Sequence, residues 1–232
     1  LSDGDYVEWV YTRNLGGDIG DNSYSGSSSK KVKKEENTEE NPASEQTSTT
    51  CPFSDALNHW AYEAIEYVYN KNIMQGTSNA TFAPDTNMTR AMLVTVLHRL
   101  ENAEITNSNN KFTDVPIDRW YTDAVVWATS NSIVNGISEN QFAPDADISR
   151  EEMATILYRY AKMKGYEVNE FANLSQYSDI NEIDSWALDA IKWANKKGLI
   201  NGTSDKTLSP NQKATRAQLC TILMRFCENI AK

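Results

Sequence analysis

Apolar residues after Trp60 fall three and four apart, at Ala61, Ala64, Ile65 and Val68. The same spacing returns in Ala124, Val125 and Ala128, and again in Ala187, Ala190, Ile191 and Ala194. That period places them on one face of a helix. A second stripe follows each of these: Leu93, Val94, Val96, Leu97 and Leu100, then Met153, Ala154, Ile156, Leu157 and Tyr160, then Leu219, Cys220, Ile222, Leu223 and Phe226. Three helix–loop–helix units are predicted, and the fold class is all-α. No single unit covers both of its stripes, so the three must stack.

Start and stop signals agree with the periodicity. Ser149-x-x-Glu152 and Thr215-x-x-Gln218 are capping boxes, whereas Thr89 has Met92 at the third position and keeps half the device. The first helix of each unit should end before Gly76, Gly136 or Gly202, with the glycine as a C-terminal cap or in the turn after it. Ala64, Ala124 and Ala190 keep one position small, where helices can approach closely.

The units keep one register. Trp60, Trp120 and Trp186 each precede a glycine by sixteen residues, and Pro84, Pro144 and Pro210 are followed by Arg90, Arg150 and Arg216 at a fixed offset. Each unit opens on an aromatic–hydroxyl–aspartate triplet, "FSD" at Asp55, "FTD" at Asp114 and "YSD" at Asp179. The repeats are bounded at 51–105, 106–170 and 171–232.

The amino-terminal fifth differs. In residues 1–13 Tyr6, Glu8 and Val10 alternate with Val7, Trp9 and Tyr11, a strand pattern that cannot fold alone. This segment resembles the closing strand of transcobalamin-like domains, which implies an upstream domain. Residues 14–50 shift to Gly, Ser, Asn, Thr, Glu and Lys, too polar to offset their ordering entropy, and read as a flexible linker. The chain begins at Leu1, so a fragment or processed form is expected, with any export signal upstream.

Composition changes the picture only by exclusion. A net charge of −10, shared about equally between residues 1–50 and 51–232, disfavours a nucleic-acid partner. No run is long and apolar enough to cross a membrane. Three cysteines do not make a disulfide framework: Cys220 and Cys227 lie seven apart on one helix, about 10 Å along its axis, beyond bridging range. Cys51 can reach Cys227 only if the repeats bring the ends together. His59 and His98 are the only histidines, at unequal places in the register, and no metal, phosphate-loop or nucleophile motif is present. No catalytic residue, metal or cofactor is expected, and an enzyme is not.

Three tandem units with an aromatic–Ser/Thr–Asp opening, a Trp at the first helix, a Gly-led loop and "TRAM", "SREE" or "TRAQ" at the second helix resemble the S-layer homology family. The resemblance implies a pseudo-threefold, three-pronged arrangement around a central helical bundle. It also implies non-covalent anchoring of an exported protein at the bacterial cell surface, through an anionic, pyruvylated secondary cell-wall polysaccharide held in grooves between repeats. By matching motif the binding positions are Asp55, Trp60, Gly76 and Arg90; Asp114, Trp120, Gly136 and Arg150; and Asp179, Trp186, Gly202 and Arg216.

The family's second loop glycine is here Ala80, Asn140 or Lys206, and only repeat two keeps an acid after the arginine. An arginine in a first helical turn is disfavoured by the macrodipole, so three of them suggest that the charge is used. Free N–H groups at that helix start, with a guanidinium beside them, suit a carboxylate. The bland readings stand alongside: each Trp as a core anchor, each Asp as a partner of loop backbone, each Gly as a backbone requirement. Arg99, Arg159 and Arg225, late in their helices, read as structural. The alternative function is a helical-repeat module binding another protein.

Overall fold

Thr89, Ser149 and Thr215 each start a helix by accepting the backbone N–H three residues on, and in the last two the Glu152 and Gln218 side chains return the bond. The helices so started are α2 (Arg90–Leu100), α4 (Arg150–Met163) and α6 (Arg216–Asn229). The shorter first helices are α1 (Tyr62–Asn70), α3 (Thr122–Ser130) and α5 (Leu188–Lys196), and a single 3₁₀ turn spans Ile180–Glu182. This computed structural model describes residues 51–104 and 110–231. The strand expected at 1–13 and the linker at 14–50 lie outside the described residues.

The first helices end on left-handed residues at Asn72 (φ 55°), Ser132 (φ 57°) and Gly198 (φ 68°). Gly76, Gly136 and Gly202 therefore lie in the turn beyond, not at the cap. Among the described residues there is no strand, only isolated bridges.

Pairing crosses the repeat boundaries. α2 packs on α3, α4 on α5, and α6 returns to α1, so each repeat gives its two helices to different pairs. Apolar stripes decide this: Leu93, Val94 and Leu97 are buried with Ala124, Val125 and Ala128, and the other pairs repeat the pattern. His98 stands edge-on to Trp127 at 5.4 Å in the first pair, and Tyr158 stands likewise to the fully buried Trp193 in the second. Further in, the Tyr160 and Phe226 rings lie 5.7 Å apart, and the Tyr160 hydroxyl donates to Glu101 at 2.9 Å.

The pairs join at the pseudo-threefold axis, where the extended segments before α2, α4 and α6 meet. Met88 N–H donates to the Ala214 carbonyl, Ala214 N–H to Ile148 and Ile148 N–H to Met88, at 2.8, 2.9 and 2.9 Å. A ring of three bonds closes the array, and all three residues are fully buried. The ends of the repeat array thus meet at α1 and α6, yet Cys51, Cys220 and Cys227 are all free thiols.

Candidate functional site

Each loop that follows a first helix is folded around its opening aspartate. Asp55 accepts the N–H groups of Phe82 and Ala83 at 2.9 and 2.8 Å. Asp114 takes those of Phe142 and Ala143, and Asp179 those of Leu208 and Ser209, at 2.7–2.9 Å at closest. Ala83, Ala143 and Ser209 are left-handed (φ 57°, 58° and 51°) just before a proline. A non-glycine residue there costs about 1–2 kcal/mol, and two charge-assisted bonds per carboxylate offset it. Gly76, Gly136 and Gly202 answer to the same loop. A Cβ on Gly136 would lie 2.4 Å from the Ser138 carbonyl oxygen and 2.6 Å from that of Gln141. Positive φ is found neither there nor at Ala80, Asn140 or Lys206.

The arginines reach across the repeat boundaries. Arg90 donates through Nε to the Phe142 carbonyl (2.9 Å) and through Nη2 to that of Asn135 (2.8 Å). Arg150 binds Leu208 and Asn201 in the same way, and Arg216 binds Phe82 and Gln75. Arg90 and Arg216 also lie over the Phe142 and Phe82 rings, at 4.8 and 4.4 Å. Their exposures are 9, 5 and 3%. Burial lowers the Arg90 and Arg150 pKa values, but a guanidinium stays charged. Whatever they do for a ligand, these three side chains join repeat one to two, two to three and three to one.

The expectation of open N–H groups at the helix starts is overturned. Arg90 and Ala91 N–H donate to Ala146 and Pro144 carbonyls, Arg150 and Glu151 to Gln212 and Pro210, Arg216 and Ala217 to Thr86 and Pro84. The next N–H goes to the capping hydroxyl. Neighbouring loops saturate the positions that a bare helix would offer to an anion.

The tryptophans are alike in sequence and unlike in setting. Trp60 is 66% exposed and stacks loosely on His59 (5.3 Å), while Trp186 is 51% exposed with its indole N–H on Asp184. Trp120 is half-buried, edge-on to Tyr121. As sole core anchors Trp60 and Trp186 are misplaced; in repeats two and three that part falls to Trp127 and Trp193, seven residues after Trp120 and Trp186.

A cleft of about 440 Å³ opens at the junction of repeats three and one, lined by Asp55, Ala83, Pro84, Asp85 and Thr86. Its back wall is the loop held by Arg216 and the start of α6. At its edge His59 Nε2 meets Asp85 at 3.2 Å, with Trp60 next to that imidazole. Among the described residues no three His, Cys, Asp or Glu side chains gather as a metal site.

The sequence reading passed over three residues that shape these junctions. His59 was noted only as out of register. Glu151 appears only inside "SREE" and Asp184 not at all, although Glu151 breaks the alanine of Ala91 and Ala217. Glu151 is 2% exposed and accepts the Asp184 N–H at 3.0 Å; burial raises its carboxyl pKa, and that bond offsets the rise only in part.

Three cross-paired helix couples, closed by inter-repeat arginines and bordered by exposed indoles, define a cyclic three-repeat helical module. The sequence pattern described as S-layer homology domain matches residues 52–91, 111–154 and 176–220, more than half of the chain. The chain belongs to the S-layer homology family, which anchors surface proteins to the cell wall, and so to the bacterial cell surface. It is 30% identical over 176 residues to an amylopullulanase of Thermoanaerobacterium thermosulfurigenes, covering 76% of this chain and 9% of that protein. Against the Surface-layer 125 kDa protein of Lysinibacillus sphaericus it is 30% identical over 177 residues, 75% of this chain and 14% of that one. A cellulosome-anchoring protein of Acetivibrio thermocellus shares 28% over 159 residues, 67% and 35% of the two chains. The chain thus spans a minor part of each of these relatives.

Proposed function

We propose that this chain holds its parent protein to the wall by binding an anionic, pyruvylated secondary cell-wall polysaccharide at the junctions between repeats, without catalysing a reaction. The cleft beside Trp60 carries the reading. An exposed indole offers a flat apolar face to a sugar ring, and the carboxylates of Asp55 and Asp85 accept from sugar hydroxyls. Behind the wall stands the buried charge of Arg216, which favours a ketal carboxylate at the cleft.

Net charge does not oppose this. Exposed charges are screened beyond about 8 Å at physiological salt, so the local field at the junction outweighs the overall −10. More than one occupied junction on the same polymer adds avidity. Co-sedimentation of the full chain with Gram-positive walls, native or chemically stripped of secondary polymer, tests the reading. The chain should pellet with the first and stay in solution with the second; equal pelleting would point to peptidoglycan or a wall protein instead.

A further inference from the structure

The three junctions share one plan and differ, among other places, at the residue after the arginine and the two residues before the tryptophan. At the junction of repeats one and two these are Ala91, Asp118 and Arg119; at three and one they are Ala217, Asn58 and His59. At two and three they are Glu151, Asp184 and Ser185. Only the last replaces a methyl group with a carboxylate at the helix mouth.

Glu151 does not swing into solvent. Its N–H donates to Pro210 O, the counterpart of the Pro84 that lines the open cleft. Its carboxylate accepts the Asp184 N–H at 3.0 Å, and Asp184 in turn accepts the Trp186 indole N–H at 3.0 Å. Asn211, the counterpart of Asp85, donates to Glu182 O at 3.2 Å and pulls the proline loop toward the tryptophan loop. The side chain that links the proline and tryptophan loops at the three–one junction is instead His59, on the Asp85 carboxylate.

Asn211 removes the charge that Asp85 carries, so the two junctions differ by a single net negative charge. Position separates them more than count does. Asp85 is 82% exposed and faces an imidazole, whereas Glu151 is 2% exposed and held between the proline and tryptophan loops by Pro210 and Asp184. A carboxylate fixed there fills the helix mouth and repels an incoming anion.

We infer that Glu151, with Asp184, closes the junction of repeats two and three to the anionic saccharide, so that the three pseudo-equivalent sites are not equivalent. This rests on the saccharide-binding reading above and adds which junction stays empty. Glu151 is a specificity-determining residue here, acting by charge and by filling space.

The test is calorimetric titration of the full chain with a methyl glycoside of an N-acetylhexosamine that carries a pyruvate ketal. Wild type should bind at most two saccharides per chain. Glu151→Ala should add one binding event, and Glu151→Gln, which keeps the volume and an acceptor for Asp184 N–H, should add one of at least about tenfold weaker affinity than the alanine variant's. If Glu151→Ala misfolds by circular dichroism, the glutamine variant alone decides: a new event supports the assignment and none overturns it. Wild-type binding with stoichiometry unchanged in both variants overturns this assignment alone. No binding by wild type or either variant overturns both it and the saccharide reading.

Discussion

Around the axis and around the tryptophans the same three repeats are put to different ends. At the axis the copies coincide: each arginine Nε meets its carbonyl at 2.9 Å, and each Nη2 does so at 2.7–2.9 Å. At the rim no two copies agree. One indole rests near a histidine, one turns edge-on to a tyrosine and one bonds an aspartate. Repetition in this sequence therefore marks what the ring needs in order to close, and on the proposed reading recognition is decided where the repetition fails.

The strongest way to break that contrast is to remove an axial side chain. Arg216→Ala leaves the Phe82 and Gln75 carbonyls without their charged donor and opens the three–one closure. Each lost bond to a charged group is worth roughly 1.5–3 kcal/mol, so urea denaturation should show a loss of about 3–5 kcal/mol. Gly136→Ala comes next. Its new methyl overlaps two carbonyl oxygens and the Phe112 ring, and overpacking of that kind costs about 1–3 kcal/mol, read by the same melt.

His98 gives a smaller, pH-dependent effect. Its Nε2 is buried without a hydrogen-bond partner, and burial lowers its pKa, against the pull of Asp123 and with the push of Arg99. A folded state that prefers neutral imidazole binds fewer protons than the unfolded chain. Stability is then full above about pH 6.5 and falls as the pH drops below it. His98→Phe should flatten a melting-temperature profile between pH 7 and 5; an unchanged slope would assign the acid lability elsewhere. Smallest in stability is Trp60→Ala. An exposed side chain away from special features shifts stability by no more than about 0.5 kcal/mol, while wall co-sedimentation should drop, which separates the rim from the ring.

Much of the fold was legible because it is local. The 3.6-residue stripes and the two full capping boxes gave the helices, and Met92 gave the half box at Thr89. Which helix pairs with which was not, because a stripe declares that it must be covered but not by whom. The exchange of helices between repeats rests on bonds spanning up to 141 residues, from Arg216 to Gln75. At the site, the register pointed to Asp, Gly and Arg, and the structure gives each a task in the loops and their closure. Free helix N–H groups were expected because caps are read within one repeat, while the carbonyls that occupy them come from the next. Glu151 was visible as a break in register at "SREE", yet its partner Asp184 is 33 residues away and no periodicity connects them.

The most direct measurement is the affinity of the full chain for purified secondary wall polymer before and after mild acid hydrolysis of its pyruvate ketals. Loss of a charge-assisted contact of roughly 1.5–3 kcal/mol corresponds to about tenfold to hundredfold weaker binding, and that is the predicted result. Equal affinity for the two polymers would contradict the claim that a saccharide carboxylate is what the repeat junctions recognise.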